Sequence, residues 1–558
     1  MNSTRIFGTQ RGSKRIFRIL YILIPIILAF SGLMLIFSSS VNLKSNVSDD
    51  VKEQIITLVS DTAENYFIDN LACNRSDLEI EMDWKVEILI YHLGVLKEKG
   101  TGNNSTLSLS LEGATRNALN GDLSDIIVLN SRFLISILSP IVHSFIIYNE
   151  KGYEVIGGGL LPTRYLNKEL IHQKIEQAKE YLYRMIDKKD YGVHKYYFAL
   201  DDNFENRLHT IYTSSTIYSL LKIYDYTNDD VILQYAYNCG EFILSMQNRK
   251  SGTIGYGAFH YSLFLNVRTT TEYYVVGTTS KTIFTLLMLY NKTGDNKYIE
   301  SARLGADWLL TMQNPDGSIL SLVEKANGIW VYSTKESYLY SGQVLSALSR
   351  IYDITGKQEY YDAAQKTAQH FTDIIEERGY YLGDDYRSPN PISSSWVLLS
   401  LFDFYKISQD EMVLDHVINS SEYLIRRQKS NIADLLNLGR WIGSSTTSGN
   451  GWLCEVMVEI YQFFKDTDLI DSDYYKEQII NSIRWIVQHT YSVENTFLIK
   501  NPERANGGLI WYFEGRELEV RTDSVCHGVN GYVGIIDDLV NGTLISIPQK
   551  TFEEMLNM

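Results

Sequence analysis

Cysteine is scarce, with only Cys73, Cys239, Cys454 and Cys526 among 558 residues. Four thiols cannot frame a fold of this length, so burial must hold the core. Proline is rarer for the length than usual, at eight residues, and the 37 Gly are dispersed, which excludes collagen-like and Pro-rich low-complexity chains. Positive charge is also short. Lys and Arg total 51 against 67 Asp and Glu, a net charge of -16; that field repels polyphosphate, so no nucleic-acid partner is expected. The sequence has no Gly-rich phosphate loop, no His-Glu-x-x-His and no Gly-x-Ser-x-Gly, which leaves nucleotide binding and those hydrolase mechanisms without support. What it does have is 45% hydrophobic residues and 40 Tyr, enough apolar surface to bury a large core.

One long apolar run is present near the amino end. Residues 19–37 are apolar apart from Ser31 and Gly32, about the length that crosses a bilayer as a helix. Arg5, Arg11, Lys14, Arg15 and Arg18 precede it without an acid, whereas Asp49, Asp50 and Glu53 follow. The positive-inside rule then predicts a cytoplasmic tail at 1–18, a single-pass transmembrane anchor at 19–38 and an extracytoplasmic bulk. A cleaved signal peptide ending at Ser38-Ser-Ser40 is the competing reading. Sequons at Asn46, Asn74, Asn104, Asn291, Asn419 and Asn541 would be glycan acceptors on that side.

Residues 39–160 read as a stalk and a small α+β domain. Helical periodicity marks 51–67 and 84–96. Residues 143–148 and 153–156 read as paired strands, with Gly152 supplying a positive-φ turn between them. This hairpin resembles the one in Cache-type extracellular sensor domains, which implies a sensory module; a plain spacer is the alternative. Gly157-Gly-Gly159 followed by Pro162 marks the boundary.

From 161 to 558 amphipathic segments recur in pairs. The first members, 212–224, 279–290, 341–352, 394–405 and 451–461, are almost wholly apolar with small residues at their starts. The second members, 231–247, 298–313, 360–375, 411–428 and 475–489, are amphipathic. The first set should line an inner ring and the second an outer ring. Residues 166–186 are an outer-type segment without a partner before it, and 529–539 an inner-type segment without one after it. Packed together, these two close a ring of six hairpins, a mainly α, (α/α)6 toroid.

The stretch Ser341-Gly-Gln-Val-Leu-Ser-Ala-Leu-Ser-Arg-Ile-Tyr-Asp-Ile-Thr-Gly-Lys-Gln-Glu-Tyr-Tyr-Asp-Ala-Ala364 resembles the hairpin of six-hairpin toroid glycan enzymes, the heparosan-type uronate C-5 epimerases and unsaturated glucuronyl hydrolases among them. The Trp-x-x-x-x-Gln-Asn-x-x-Gly cadence of Trp308 to Gly317 is similar to that of squalene-cyclase-like toroids, whose Asp-rich motif is missing. The glycan-enzyme resemblance implies a cleft at the face where inner helices begin and long loops gather. It also implies a polysaccharide or glycan substrate, with no cofactor required.

At that face the free amides and dipoles of the helix starts favour binding. Candidate catalytic acids there are Glu272, Glu336, Asp384 and Asp385, because glycosidic cleavage needs a general acid and a second carboxylate. Candidate substrate contacts are His209, Tyr212, Arg268, Tyr338, Gln343, Arg387, Trp441, Trp452, Arg521 and Asp523. The arginines would pair with a uronate carboxylate and the aromatics would face a sugar ring. Each acid could equally be a helix cap, and each aromatic a packing residue. Cys454, Cys526 and His527 offer three zinc-type ligands. They resemble the Cys and Cys-His-Gly of lanthionine cyclases, without the Gly after the first Cys. They also resemble the zinc site of β-L-arabinofuranosidases, from which Trp452 and His527 depart. A Cys454–Cys526 disulfide or buried thiols are the alternatives. The leading expectation is an anchored hydrolase, lyase or epimerase of a uronate-containing glycan. A non-catalytic glycan-binding or sensory ectodomain is the second, a zinc toroid of the cyclase type the third, and oligomeric state is left open.

Overall fold

The computed structural model describes a few positions between 54 and 62, Leu78, the segments 81–92, 95–120, 132–139, 143–148 and 151–155, and then 166–539 without 200, 431–436, 492–500 and 512–518. The expected tail at 1–18, the anchor at 19–38 and the Gly157-to-Pro162 boundary lie outside the described residues. Among the described residues no helix is long and apolar enough to cross a membrane.

The amino-terminal unit is an antiparallel sheet with a helix on one face. Strands β1 (Glu81–His92), β2 (Val95–Thr106), β3 (Arg132–Ser139), β4 (His143–Tyr148) and β5 (Lys151–Val155) take the order β2-β1-β3-β4-β5. Trp84, Val86, Ile88 and Ile90 are fully buried at every second position, the period of a strand and not of the helix expected at 84–96. Leu89 also counts as apolar, and that extra residue disguises the alternation. Helix α1 (Leu107–Leu119) lies directly on β2. A Cβ on Gly100 or Gly102 would stand 2.0 Å from Ala114 O or 1.9 Å from Ser110 O, so only glycine admits that approach. Ile55, Leu58 and Val59, from the segment expected as a stalk helix, are buried in this same core. The 143–156 hairpin forms as expected, but Gly152 is paired with Ile147 inside the ladder and does not make the turn.

The second unit is a closed ring of helix pairs. Inner helices are α3 (Thr210–Thr227), α5 (Val276–Thr293), α7 (Tyr338–Thr355), α9 (Pro391–Ser408), α11 (Thr447–Thr467) and α13 (Thr522–Ile535). Outer helices are α2 (Lys168–Met185), α4 (Asp230–Ser245), α6 (Asn296–Leu310), α8 (Gln358–Arg378), α10 (Glu411–Ile425) and α12 (Asp473–Gln488). Each inner helix packs on the next, α13 returns to α3, and α2 closes the outside against α13.

Local chemistry sets the connections. α3, α5, α7, α9 and α11 end on a left-handed residue, respectively Asn228, Gly294, Gly356, Gln409 and Asp468. At three of these the next residue, Asp229, Asp295 or Asp410, caps the outer helix by accepting from a backbone N–H. One αL residue and one N-cap therefore reverse the chain in two positions. After the outer helices, the chain crosses the neighbouring outer helix at Gly257, Gly317, Gly439 and Gly507, with φ between +84° and +95°. A Cβ there would lie 2.0 to 2.2 Å from the carbonyl oxygens of Leu304, Lys366, Asn481 and Gln177. On this same face, opposite the short αL turns, the inner helices begin earlier than the hydrophobic pattern indicates, because three strands run straight into them. β6 (Arg207–His209) leads into α3, β7 (Tyr273–Val275) into α5 and β8 (Glu519–Arg521) into α13. Hydroxyl side chains keep the inner ring narrow: the Ser214 and Thr282 oxygens meet at 3.0 Å across it, one hydroxyl donating to the other, which in turn donates back to its own helix at Thr210 O or Thr278 O.

Candidate functional site

The starts of the six inner helices surround a cavity of about 370 Å³ on the ring axis. Its walls carry Tyr212, Tyr261, Tyr340, Gln343, Arg387, Arg521 and Asp523. Its floor is Lys281, Trp396, Trp452 and His527, which also roof a smaller void of about 20 Å³ deeper on the axis. The two indoles stack at 3.8 Å and 14°, and Trp452 Nε1–H donates to Ser395 Oγ at 3.0 Å.

His527 is the best-defined chemical group on that floor. Its Nδ1 lies 2.6 Å from Glu455 Oε2, while Glu455 Oε1 accepts from Asn530 Nδ2 at 3.0 Å. Burial would raise the Glu455 carboxyl, yet the bond to His527 and the charges of His527, Lys222 and Lys281 outweigh it and hold it down to about 2. A carboxylate so held can only accept, so Nδ1 carries a proton toward it, and the ring itself lines the chamber. Lys222 pairs with Glu459 at 3.4 Å, and Arg350 with Asp403 at 2.8 Å. These pairs neutralise the axis beneath the floor.

Asp523 is the one carboxylate among the described residues lining the chamber. Burial works against its charge, but Arg521 overrides burial through two bonds of 2.6 Å and lowers its pKa. Arg521 also donates to Ser448 Oγ at 2.9 Å. The Tyr212 phenol is pushed well above its ordinary value by burial, and Tyr261 and Tyr340 are raised for the same reason. Gln343 Oε1 is buried with no hydrogen-bond partner. α7 stands opposite α13 in the ring order, so Tyr340 and His527 approach the axis from opposite sides.

The sequence-predicted residues divide sharply. Tyr212, Gln343, Arg387, Trp452, Arg521, Asp523 and His527 line the chamber together, and Cys526 lines the void beneath. The four expected catalytic acids do not line it. Glu272 is exposed and pairs with Lys325 at 3.0 Å. Glu336 is held by His370 at 3.1 Å and by Ser341 Oγ–H at 2.9 Å. Asp384 accepts from the backbone N–H groups of Tyr338, Tyr386 and Arg387, and Asp385 from that of Glu336; both fasten the loop that enters α7. Arg268 is bound to Asp190 by two bonds of 2.6 and 2.7 Å on the outside. Tyr338 is buried under Arg378, and Trp441 is wholly buried with its indole N–H on Leu424 O. His209 faces Glu205 at 3.0 Å, one layer outside the lining.

The zinc-type ligand set does not assemble. Among the described residues no group of three His, Cys, Asp or Glu could hold a metal ion. Cys454 lies against Gly531 and Ser482, Cys526 against Thr216 and Ser219, and His527 is engaged by Glu455. Both thiols are unpaired, so the alternative of a Cys454–Cys526 disulfide is not formed, and burial pushes both up to about 12, as for packing sulfurs. Lys281, Glu455, Trp396, Tyr261 and Tyr340 were not among the sequence candidates. A charged residue inside an otherwise apolar inner helix was the available signal for Lys281 and Glu455.

The ring of helix pairs matches solved structures over about two thirds of the chain. The chain is a six-hairpin (α/α) toroid. The cellobiose 2-epimerase of Bacillus thermoamylovorans B4167 aligns at 12% identity and TM-score 0.50, over 66% of this chain and 100% of that one. A D-mannose isomerase aligns at 13% and 0.50, over 67% and 98%. An unsaturated glucuronyl hydrolase specific for heparin aligns at 12% and 0.47, over 66% and 98%. No protein-family model and no curated protein matches the sequence.

Proposed function

We propose that this toroid is an enzyme acting on an acidic glycan by moving a proton at a carbon of the sugar ring, as an epimerase or a lyase. The arrangement of His527 on Glu455 carries the reading: a buried carboxylate fixes Nδ1 of an imidazole that lines a sugar-sized cavity, which leaves Nε2 to act as the base. Hydrolysis by two carboxylates is less well supported, because Asp523 alone of the lining residues is a carboxylate and Arg521 already holds it. The acidic substrate is supported by charge. In a protein of net charge -16 the lining has Lys281, Arg387 and Arg521 against one carboxylate.

On this reading a uronate binds with its C5–H toward His527. Nε2 takes the C5 proton, and the electron pair moves into the adjacent carboxyl group, forming an enediolate. A proton delivered from the other side, where the Tyr340 phenol stands, gives the inverted carbon. Expulsion of the C4 oxygen substituent from the same intermediate gives elimination instead. The sequence supports a place outside the membrane through its basic flank and apolar run, with the N-terminus cytoplasmic. The likeness to a sugar epimerase and a sugar isomerase gives the fold and leaves the chemistry to the chamber.

The test is a panel of uronate-containing polysaccharides incubated in heavy water. Deuterium should enter C5 of one of them, seen by NMR, with epimerised or unsaturated residues accumulating. Release of reducing ends without deuterium would make the protein a hydrolase. Binding without any turnover would favour the non-catalytic glycan-binding alternative.

A further inference from the structure

The chamber contains one cation that the protein leaves without an anion. Arg521 is committed to Asp523 and Ser448, and Arg387 sits near the rim with Nη1 on Ser337 and Asp384 3.8 Å away. Lys281 is different. It lies in the second turn of α5, on the floor, and among the described residues its ammonium makes no hydrogen bond and no ion pair. Beside it stand Trp396 and Trp452, each with its ring centre 5.6 Å away. The nearest acids are occupied, Glu455 by His527 and Asn530, Asp523 by Arg521. Burial consequently pushes the amine below its ordinary value, Glu455 and Asp523 offsetting only part of this.

A buried, unpaired ammonium is costly, and proteins remove such groups unless something binds there. Two further features border the same space. The Gln343 side chain lines it, its Oε1 turned against Gly277. The stacked indoles beside Lys281 offer the ammonium only ring edges, which do not replace its lost hydration.

We infer that Lys281 receives the carboxylate of an acidic sugar on the chamber floor and is the residue that makes the site select uronates over neutral hexoses. This rests on the reading of the chamber as a sugar site, and extends it to a specificity determinant. Lysine supplies a compact point charge here. A carboxylate seated on Lys281 is also beside His527, since the two share the floor, so the group that selects the acid holds the adjacent carbon near the base.

The full chain and its Lys281→Met variant would be titrated with glucuronate, galacturonate and mannuronate, and with glucose, galactose and mannose, by ligand-observed NMR. The wild type should prefer one uronate over its neutral counterpart. Lys281→Met should lose about 30-fold of that preference, as for one charge-assisted contact, with binding of the neutral sugar unchanged. Its melting temperature should rise, because an unpaired buried charge has gone. Lys281→Gln serves as a second, polar replacement with the same expected loss, so one misfolded variant does not decide the matter. A Met or Gln variant that keeps the full uronate preference overturns the role of Lys281 and leaves the sugar site standing. A wild type that binds neutral sugars equally well overturns both Lys281 and the acidic substrate. A wild type that binds none of the six sugars overturns the sugar site itself, and the inference with it.

Discussion

Replacing Glu455 by Gln tests the chemistry most directly. The carboxylate is buried, accepts from His527 Nδ1 at 2.6 Å, and is held at about 2 instead of 4.5. That displacement corresponds to about 3 kcal/mol in favour of the charged form. An amide of the same shape keeps the volume and can still accept from Nδ1–H, but it cannot stabilise the imidazolium that forms when Nε2 takes a proton. Loss of such support weakens a general base by about a hundredfold to ten-thousandfold. The assay is the initial rate of deuterium entry at C5 of the uronate substrate, by NMR at neutral pH, with folded protein quantified by near-UV circular dichroism. His527→Gln should fall at least as far. Lys222 retains Glu459 at 3.4 Å in the variant, so the axis is not left with an unpaired cation there, and the fold should survive. A folded Glu455→Gln protein that exchanges at the wild-type rate would refute the assignment of His527 as base.

Three other outcomes are expected. Glu455, Asp523 and Asp403 all have folded pKa values below their unfolded ones, so their stabilisation is complete above about pH 4.5 and is lost as pH falls through the lowered values; urea unfolding that is unchanged from pH 7 to pH 3 would contradict this. Trp441→Phe removes a buried indole and orphans the Leu424 carbonyl, which should cost about 2–4 kcal/mol of stability without weakening sugar binding, and a selective loss of binding would return Trp441 to the site. Deleting residues 1–40 should release the protein from the membrane fraction in folded form, an expectation that fails if the full chain is already extracted without detergent.

How much of this was legible in the sequence differs between the two units. The inner helices are so apolar, and the αL-plus-Asp turns so regular, that the hairpin ring follows from pattern alone. The sixth inner helix was read seven residues late, starting only after Gly528, although Gly528, Gly531 and Gly534 all lie within it. They are packing positions: a Cβ on Gly528 would meet Leu509 at 2.8 Å, one on Gly531 the Cys454 sulfur at 3.1 Å, and one on Gly534 the Val458 side chain at 2.3 Å. Glycine at these spacings lets α13 close on α11. In the first unit, a strand buried on both faces at Ile88-Leu-Ile90 gave no clean alternation, and β1 passed for a helix. Site residues in the first helical turn were within reach, as Asp523 and Tyr212 illustrate. Lys281 and Glu455 sit deeper in their helices, and only the ring's curvature turns those turns toward the axis. The acids at 336, 384 and 385 resembled catalytic groups because loop-fastening carboxylates occupy the same sequence positions at helix entries.

The glycines that carry the chain across each neighbouring outer helix have a thermodynamic consequence. In an open solenoid the end repeats fray first and need special caps. Here the last crossing, at Gly507, lies on the first outer helix at Gln177, so the late part of the chain clasps the early part and the array has no free end. No hairpin can open without stripping two neighbours of their burial. The unit from 166 to 539 should therefore unfold as one cooperative block, with amide exchange in all six inner helices reporting the same global opening, and removal of any single hairpin should abolish the folded state instead of shortening it.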